Sequence, residues 1–351
     1  MTAKKHFLAD VCIIRIVLIV ILVMYHAFCP FVGVWDSPEN FPWVLPYYLW
    51  GKMLISLMLE MFVFISGLVF GLKMKRDGVQ NVCNKGLITK RFQRLILPAI
   101  FFGALYVVLF YDFMAEPGEA ALNFLEGAGH LWFLPMLFFC FVILAVLERC
   151  NCNRKVVLFI AICFSVFYVF GHLWSKVTYY FTFFLIGIYI GDSDFSVKPY
   201  AKLRNILLFL VIYLILFAIK IKPTIVFGGW YMQIMDAPEG TFDNITMLML
   251  RNAMSLLTSL AGLAFFYLLI NWFIDKVNLK VTDRMMRVSG YCFGVYIYQE
   301  FILKLLYYNL GVLNTCPPLL TPWLGFAVAL PISVLLTHFT LKTRFGRYLI
   351  G

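Results

Sequence analysis

The sequence predicts an all-α integral membrane protein, a bundle of about ten transmembrane helices with both termini in the cytoplasm. Three observations carry that prediction. Of the 351 residues, 63% are hydrophobic and only 13% are charged, with a mean hydropathy of +0.88. A soluble domain carries about 25% charged residues. Apolar runs long enough to cross a hydrocarbon core of about 30 Å then recur along the whole chain, separated by short polar loops. Finally, the basic residues alternate between sides as membrane orientation requires.

The spans are expected at about 11–29, 53–72, 95–111, 131–147, 156–171, 173–191, 205–221, 252–271, 288–306 and 319–341. An even number puts both termini on one side. Of the 29 lysines and arginines, only Lys52, Lys176, Lys220, Lys222 and Arg251 fall on the opposite side. Arg15 and Lys304 fall inside spans, and the rest share the side of the termini. That bias makes the terminal side cytoplasmic. The outer loops are acidic, with Asp36 and Glu39 in the first and Asp112, Glu116, Glu119 and Glu126 in the second. Trp35, Trp43, Trp50, Trp132, Trp174, Trp230 and Trp323 crowd span ends, as interfacial belts do. No small-residue cleavage site follows the first span, which reads as retained. The chain reads as one transmembrane domain over 1–351.

Composition also limits function. The net charge of +11 lies in loops between spans, which argues for membrane orientation and against nucleic acid. The nine cysteines form no CxxC pair and no metal spacing, so no metal is expected.

Charged and titratable groups within spans are the candidates for chemistry, because each is expensive in hydrocarbon. In span 1, Arg15 and His26 share one helix face about 16 Å apart along the axis. Taken singly, Arg15 also reads as snorkelling to the interface and His26 as an end-of-helix histidine. Span 2 carries Glu60, and its FVFISG stretch includes Ser66 and Gly67, which allow close helix packing. Glu60 lies at a depth similar to His26 and is a candidate to hold the imidazole in one tautomer. It also reads as a protonated carboxyl or as a partner of Arg15. Arg91 and Arg94, three apart before span 3, share a face and suit phosphate bidentately. Positive-inside bias also supplies such arginines. His130 and Trp132 open span 4, and Gln299 and Glu300 lie near the middle of span 9. His172 and His338 sit at span ends without companions and read as structural.

Together these stretches resemble acyltransferase family 3, integral-membrane acyltransferases that modify carbohydrates and related acceptors. The resemblance runs through Arg15 and His26, FVFISG at 62–67, Arg91-Phe-Gln-Arg94 ahead of Leu97-Pro98, HLWFL at 130–134, and FGVYIYQE at 293–300. It implies that Arg15 and His26 are essential to acyl transfer. It also implies that Arg91 and Arg94 handle an acyl-coenzyme A donor, commonly acetyl-coenzyme A. Many members carry a histidine where this chain has Gln299, so any role of that histidine is lost here or passes to Glu300. With no hydrolase-like domain in the sequence, the chain resembles stand-alone members acting on polysaccharides, sugars or lipid-linked intermediates.

The geometry of span 1 fits that resemblance. On that reading the nucleotide end of the donor is expected to dock on Arg91, Arg94 and Arg15 at the cytoplasmic side. The thioester would then extend toward His26, expected to act as general base on an acceptor hydroxyl or to carry the acyl group briefly. Glu60 joins Arg15 and His26 as a catalytic candidate. His130, Trp132, Glu300 and Ser66 are the candidates for acceptor binding. The expected partners are the bilayer and a carbohydrate or lipid-linked glycan, with the oligomeric state open. The expected location is the inner membrane of a bacterial cell. The rival reading is a glycan or lipid transporter, which intramembrane Arg, Glu and His would also serve. The sequence shows no inverted repeat in its favour.

Overall fold

The structure is a computed structural model that describes residues 2–39, 41–83, 85–111, 117–167, 173–226 and 242–351. Its helices, in chain order, begin with α1 (Thr2–Ala27), α2 (Cys29–Val32), α3 (Leu45–Asp77), α4 (Val79–Val82), α5 (Lys85–Arg91) and α6 (Leu97–Phe110). There follow α7 (Pro117–Glu126), α8 (Phe133–Arg149), α9 (Arg154–Val166), α10 (Leu173–Asp192), α11 (Leu203–Val226) and α12 (Phe242–Val277). The last are α13 (Asp283–Lys304), α14 (Val312–Thr315), α15 (Thr321–Lys342) and α16 (Arg344–Ile350). No strand occurs among the described residues.

Eight stretches are long and apolar enough to cross a membrane: 9–27, 45–77, 86–110, 129–149, 173–192, 203–221, 248–277 and 321–342. The chain is therefore a multi-pass, all-α membrane protein. Two helices of the expected ten fall outside this set. The described part of α9 has only 13 residues, and 168–172, which include His172, lie outside the described residues. Helix α13 has 22 residues but carries Asp283, Arg284, Arg287, Glu300 and Lys304. Its polar residues Ser289, Gln299 and Glu300 are buried. Protein rather than lipid surrounds that face, because α13 packs against α1 and α15. Helix α3, at 33 residues, is far longer than the span expected within it.

The chain forms two compact units. The first comprises residues 1–58, 84–142 and 280–351. In it α1 packs on α13 and α15, and α6 packs on α7, α13 and α16. Tyr307 ties the ends of two helices together, donating to the carbonyl of Ala27 at 2.8 Å. His338 accepts or donates at 2.8 Å with the Tyr291 hydroxyl, a structural contact. Between α5 and α6, residues Phe92–Ile96 form a turn of π-helix, closed by a bond from the Leu97 amide to the Phe92 carbonyl. Pro98 explains it. Proline has no N–H to return to the Arg94 carbonyl, so the helix cannot keep its i→i−4 ladder there. The widened turn falls on the Arg91–Arg94 pair, and such bulges often mark functional sites.

The second unit comprises residues 59–83 and 143–279. Here α9 packs on α10 and α12, and α11 packs on α12. Two small-xxx-small pairs, Gly67 with Gly71 and Gly187 with Gly191, face each other across α3 and α10. A Cβ on any of the four would overlap the backbone of the opposing helix. In a membrane, where lipid competes for apolar surface, such close backbone approach is what holds helices together. Arg154 pairs with Glu148 at 2.6 Å and with Asp192, tying α9 to the ends of α8 and α10.

Candidate active site

The first unit brings two histidines to one carboxylate. His26 lies in the last turn of α1, His130 in the 3₁₀ turn Gly129–Trp132, and Glu300 on α13. All three are buried. One oxygen of Glu300, Oε2, lies 3.1 Å from His130 Nδ1 and 3.4 Å from His26 Nε2. The other, Oε1, accepts a 2.6 Å hydrogen bond from the Tyr106 hydroxyl. Trp35 stacks on the His26 ring at 5.9 Å, with 21° between the planes. The Leu22 carbonyl, one turn back, and the Gln299 amide lie beside the His26 imidazole.

Local sequence explains how His130 gets there. Gly127 and Gly129 both adopt positive φ, +92° and +57°, which residues with a Cβ rarely tolerate. At Gly129 a Cβ would lie 2.5 Å from Cζ of Tyr106 and 2.7 Å from Oε1 of Glu300. Only a bare backbone fits, and that lets the turn press His130 onto the carboxylate. The Tyr296 hydroxyl then donates to the His130 carbonyl at 2.7 Å and fixes the turn from α13.

The same unit holds the basic residues. Arg15, Arg91 and Arg94 lie within electrostatic reach of one another, a concentration of positive charge that suits an anionic ligand. Among the described residues no carboxylate lies within ion-pair distance of Arg15 or Arg94. The Arg91 guanidinium rests 3.9 Å above the Phe141 ring, which keeps it planar against apolar surface. Lys304 stands over Trp35, Tyr106 and Tyr308, at 5.3, 5.9 and 5.4 Å from the ring centroids.

The remaining candidates go elsewhere. Glu60 belongs to the second unit, where Oε1 accepts from Ser259 at 2.8 Å and from Tyr179 at 3.3 Å. Within the first unit, the carboxylate beside His26 is Glu300. Ser66, also in the second unit, donates to the Phe62 carbonyl of its own helix at 2.8 Å, as mid-helix serines commonly do. Trp132 occupies the 3₁₀ turn beside His130, and its backbone packs on Gly127. Tyr106 and Trp35 were not candidates. Tyr106 is one of 19 tyrosines, and nothing in its sequence neighbourhood distinguishes it. Lys304 could have been found, since it is one of two basic residues inside spans.

The chain is thus of the class of multi-pass helical membrane proteins, with a buried imidazole–carboxylate cluster and clustered arginines in its first unit. The family model described as an acyltransferase domain matches residues 9–338, nearly the whole chain. The chain belongs to acyltransferase family 3 and is an integral-membrane acyltransferase. No curated protein and no solved structure matches it.

Proposed function

We propose that the chain transfers an acyl group, most simply acetyl, from cytoplasmic acyl-coenzyme A to a hydroxyl of a carbohydrate or lipid-linked glycan. The observation that carries this reading is the co-location, in one unit, of the His26–Glu300–His130 cluster and the arginine trio. The arginines suit the phosphates of coenzyme A, because three clustered guanidiniums call for a polyanion. Arg15 and His26 lie on one helix about 16 Å apart, which a pantetheine arm spans. His26 removes the proton of the acceptor hydroxyl. The hydroxyl oxygen then forms its bond to the thioester carbon, the C–S bond breaks, and coenzyme A leaves as the thiol. We place the protein in the inner membrane of a bacterium with both termini cytoplasmic, following the bias of its lysines and arginines. The test uses a strain lacking the chain, complemented with the wild type or with His26→Ala. Mass spectrometry of its envelope glycans should find acylation restored by the wild type alone, at equal membrane levels. Acylation unchanged by the deletion, or restored by His26→Ala, would overturn the reading and favour a transporter.

A further inference from the structure

We propose that His130 is the general acid of this transfer, and that Tyr106 is a positioning residue acting through Glu300. The inference rests on the acyl-transfer reading and goes beyond it by giving the second histidine a separate task. The two imidazoles are not equivalent toward their shared oxygen. His130 Nδ1, at 3.1 Å, is within the range of an N–H···O bond, and His26 Nε2, at 3.4 Å, is outside it. Oε2 of Glu300 thus stands nearer His130, as an ion-pair contact to Nδ1, than it does His26 Nε2. An imidazolium at His130 would be balanced by that carboxylate. Neither ring nitrogen of His130 forms a hydrogen bond among the described residues; Nδ1 has its ion-pair contact with Glu300, and the far nitrogen, Nε2, has no such contact. A nitrogen in that position can hold a proton that no protein group claims.

The step then balances. The acceptor O–H proton passes to His26 as the new C–O bond forms. The C–S bond breaks, and the departing sulfur takes the Nε2 proton of His130. His26 gives its proton to water and His130 Nε2 takes one from water when the products leave, which restores the starting state; Glu300 faces Nδ1 of His130 and keeps the imidazolium balanced throughout. Tyr106 takes no part in this exchange. Its 2.6 Å bond fixes Oε1, so that Oε2 stays between the histidines.

A leaving group that needs no proton separates this role from a structural one. Membranes from the deletion strain, carrying wild type or variant protein and their own glycans, are given acetyl-coenzyme A or p-nitrothiophenyl acetate. With acetyl-coenzyme A, His130→Gln should lower the rate of glycan acetylation about 10²–10⁴-fold. With the aryl thioester, whose thiolate leaves unaided, it should recover to within about tenfold of wild type. His26→Ala should lose transfer from both donors. Tyr106→Phe keeps the ring and removes only the hydroxyl. It should lower kcat about tenfold with the KM for acetyl-coenzyme A unchanged, the scale of one hydrogen bond to a charged group. Equal loss of His130→Gln with both donors, or no loss with either, overturns the general-acid assignment. A kcat unchanged in Tyr106→Phe overturns the positioning role. Wild-type membranes that acetylate nothing would instead overturn the acyl-transfer reading itself.

Discussion

The backbone of Gly129 is the wall behind Glu300: a Cβ there would stand 2.7 Å from Oε1 of that carboxylate. Gly129→Ala meets two penalties, the overlap and a left-handed φ of +57° that costs an L-residue about 1–2 kcal/mol. Transfer should fall by more than about tenfold and the melting temperature should drop. Gly118→Ala, where a Cβ meets open space, should change neither. Turnover per correctly folded protein, with folding checked by size-exclusion, is the measurement. Unimpaired Gly129→Ala would mean that Tyr106 and Glu300 can shift without consequence.

The two buried carboxylates should respond oppositely to amide substitution. Glu60 serves as acceptor to Ser259 and Tyr179, a task that the oxygen of a glutamine amide can take over. Glu60→Gln should leave transfer near wild type. Glu300→Gln removes the charge facing both imidazoles and should lower transfer about a hundredfold or more. The reverse order would return the catalytic carboxylate to Glu60.

Arg91 and Arg94 should govern the donor rather than the acceptor. Replacing both with Gln should raise the apparent KM for acyl-coenzyme A far more than that for the acceptor. Lysine should rescue poorly, because an ammonium cannot make the bidentate fork of a guanidinium. A donor KM that stays put would leave these arginines as topology signals.

Sidedness can be read with cysteines. Gln80 is exposed and helical in α4, a better site than Gly78, whose φ of +84° would strain any side chain. Gln80→Cys should resist a membrane-impermeant thiol reagent in intact cells, and Gly118→Cys should react. The exposed native Cys150, Cys152 and Cys163 must first be removed. Cys83 is less of a concern, because burial pushes its thiol up to about 11 and keeps it protonated. Reversed labelling would overturn the orientation and, with it, the cytoplasmic donor.

The glycine crossing of α3 and α10 should be intolerant of bulk. Gly187→Leu would drive a side chain into the backbone at Phe64 and Leu68. Overpacking of this kind typically costs about 1–3 kcal/mol. Thermal unfolding in detergent should show a lower midpoint for Gly187→Leu, and also for Gly67→Leu. An unchanged midpoint would mean that the two helices part without loss.

The sequence by itself determined the class, because a chain this poor in charge has no way to stay folded in water. It also marked most spans, since length and apolarity are local properties that hydrocarbon reads directly. His26, Arg15, Arg91, Arg94, His130 and Glu300 were legible as candidates for a related reason: polar groups within or beside apolar runs are expensive. Their assembly was not legible. Helix periodicity relates residues on one helix, as with Arg15 and His26, but says nothing about which face of another helix they meet. Depth alone offered Glu60 as a neighbour of His26, and it carried no signal for Glu300, which the first unit places 3.4 Å from the imidazole. The same limit hid Tyr106, an ordinary tyrosine on α6 until α13 packs beside it. It left α13 looking like an ordinary span, although its polar face is hidden by α1 and α15. Only the tertiary structure decides such pairings, because they depend on contacts between residues far apart in the chain.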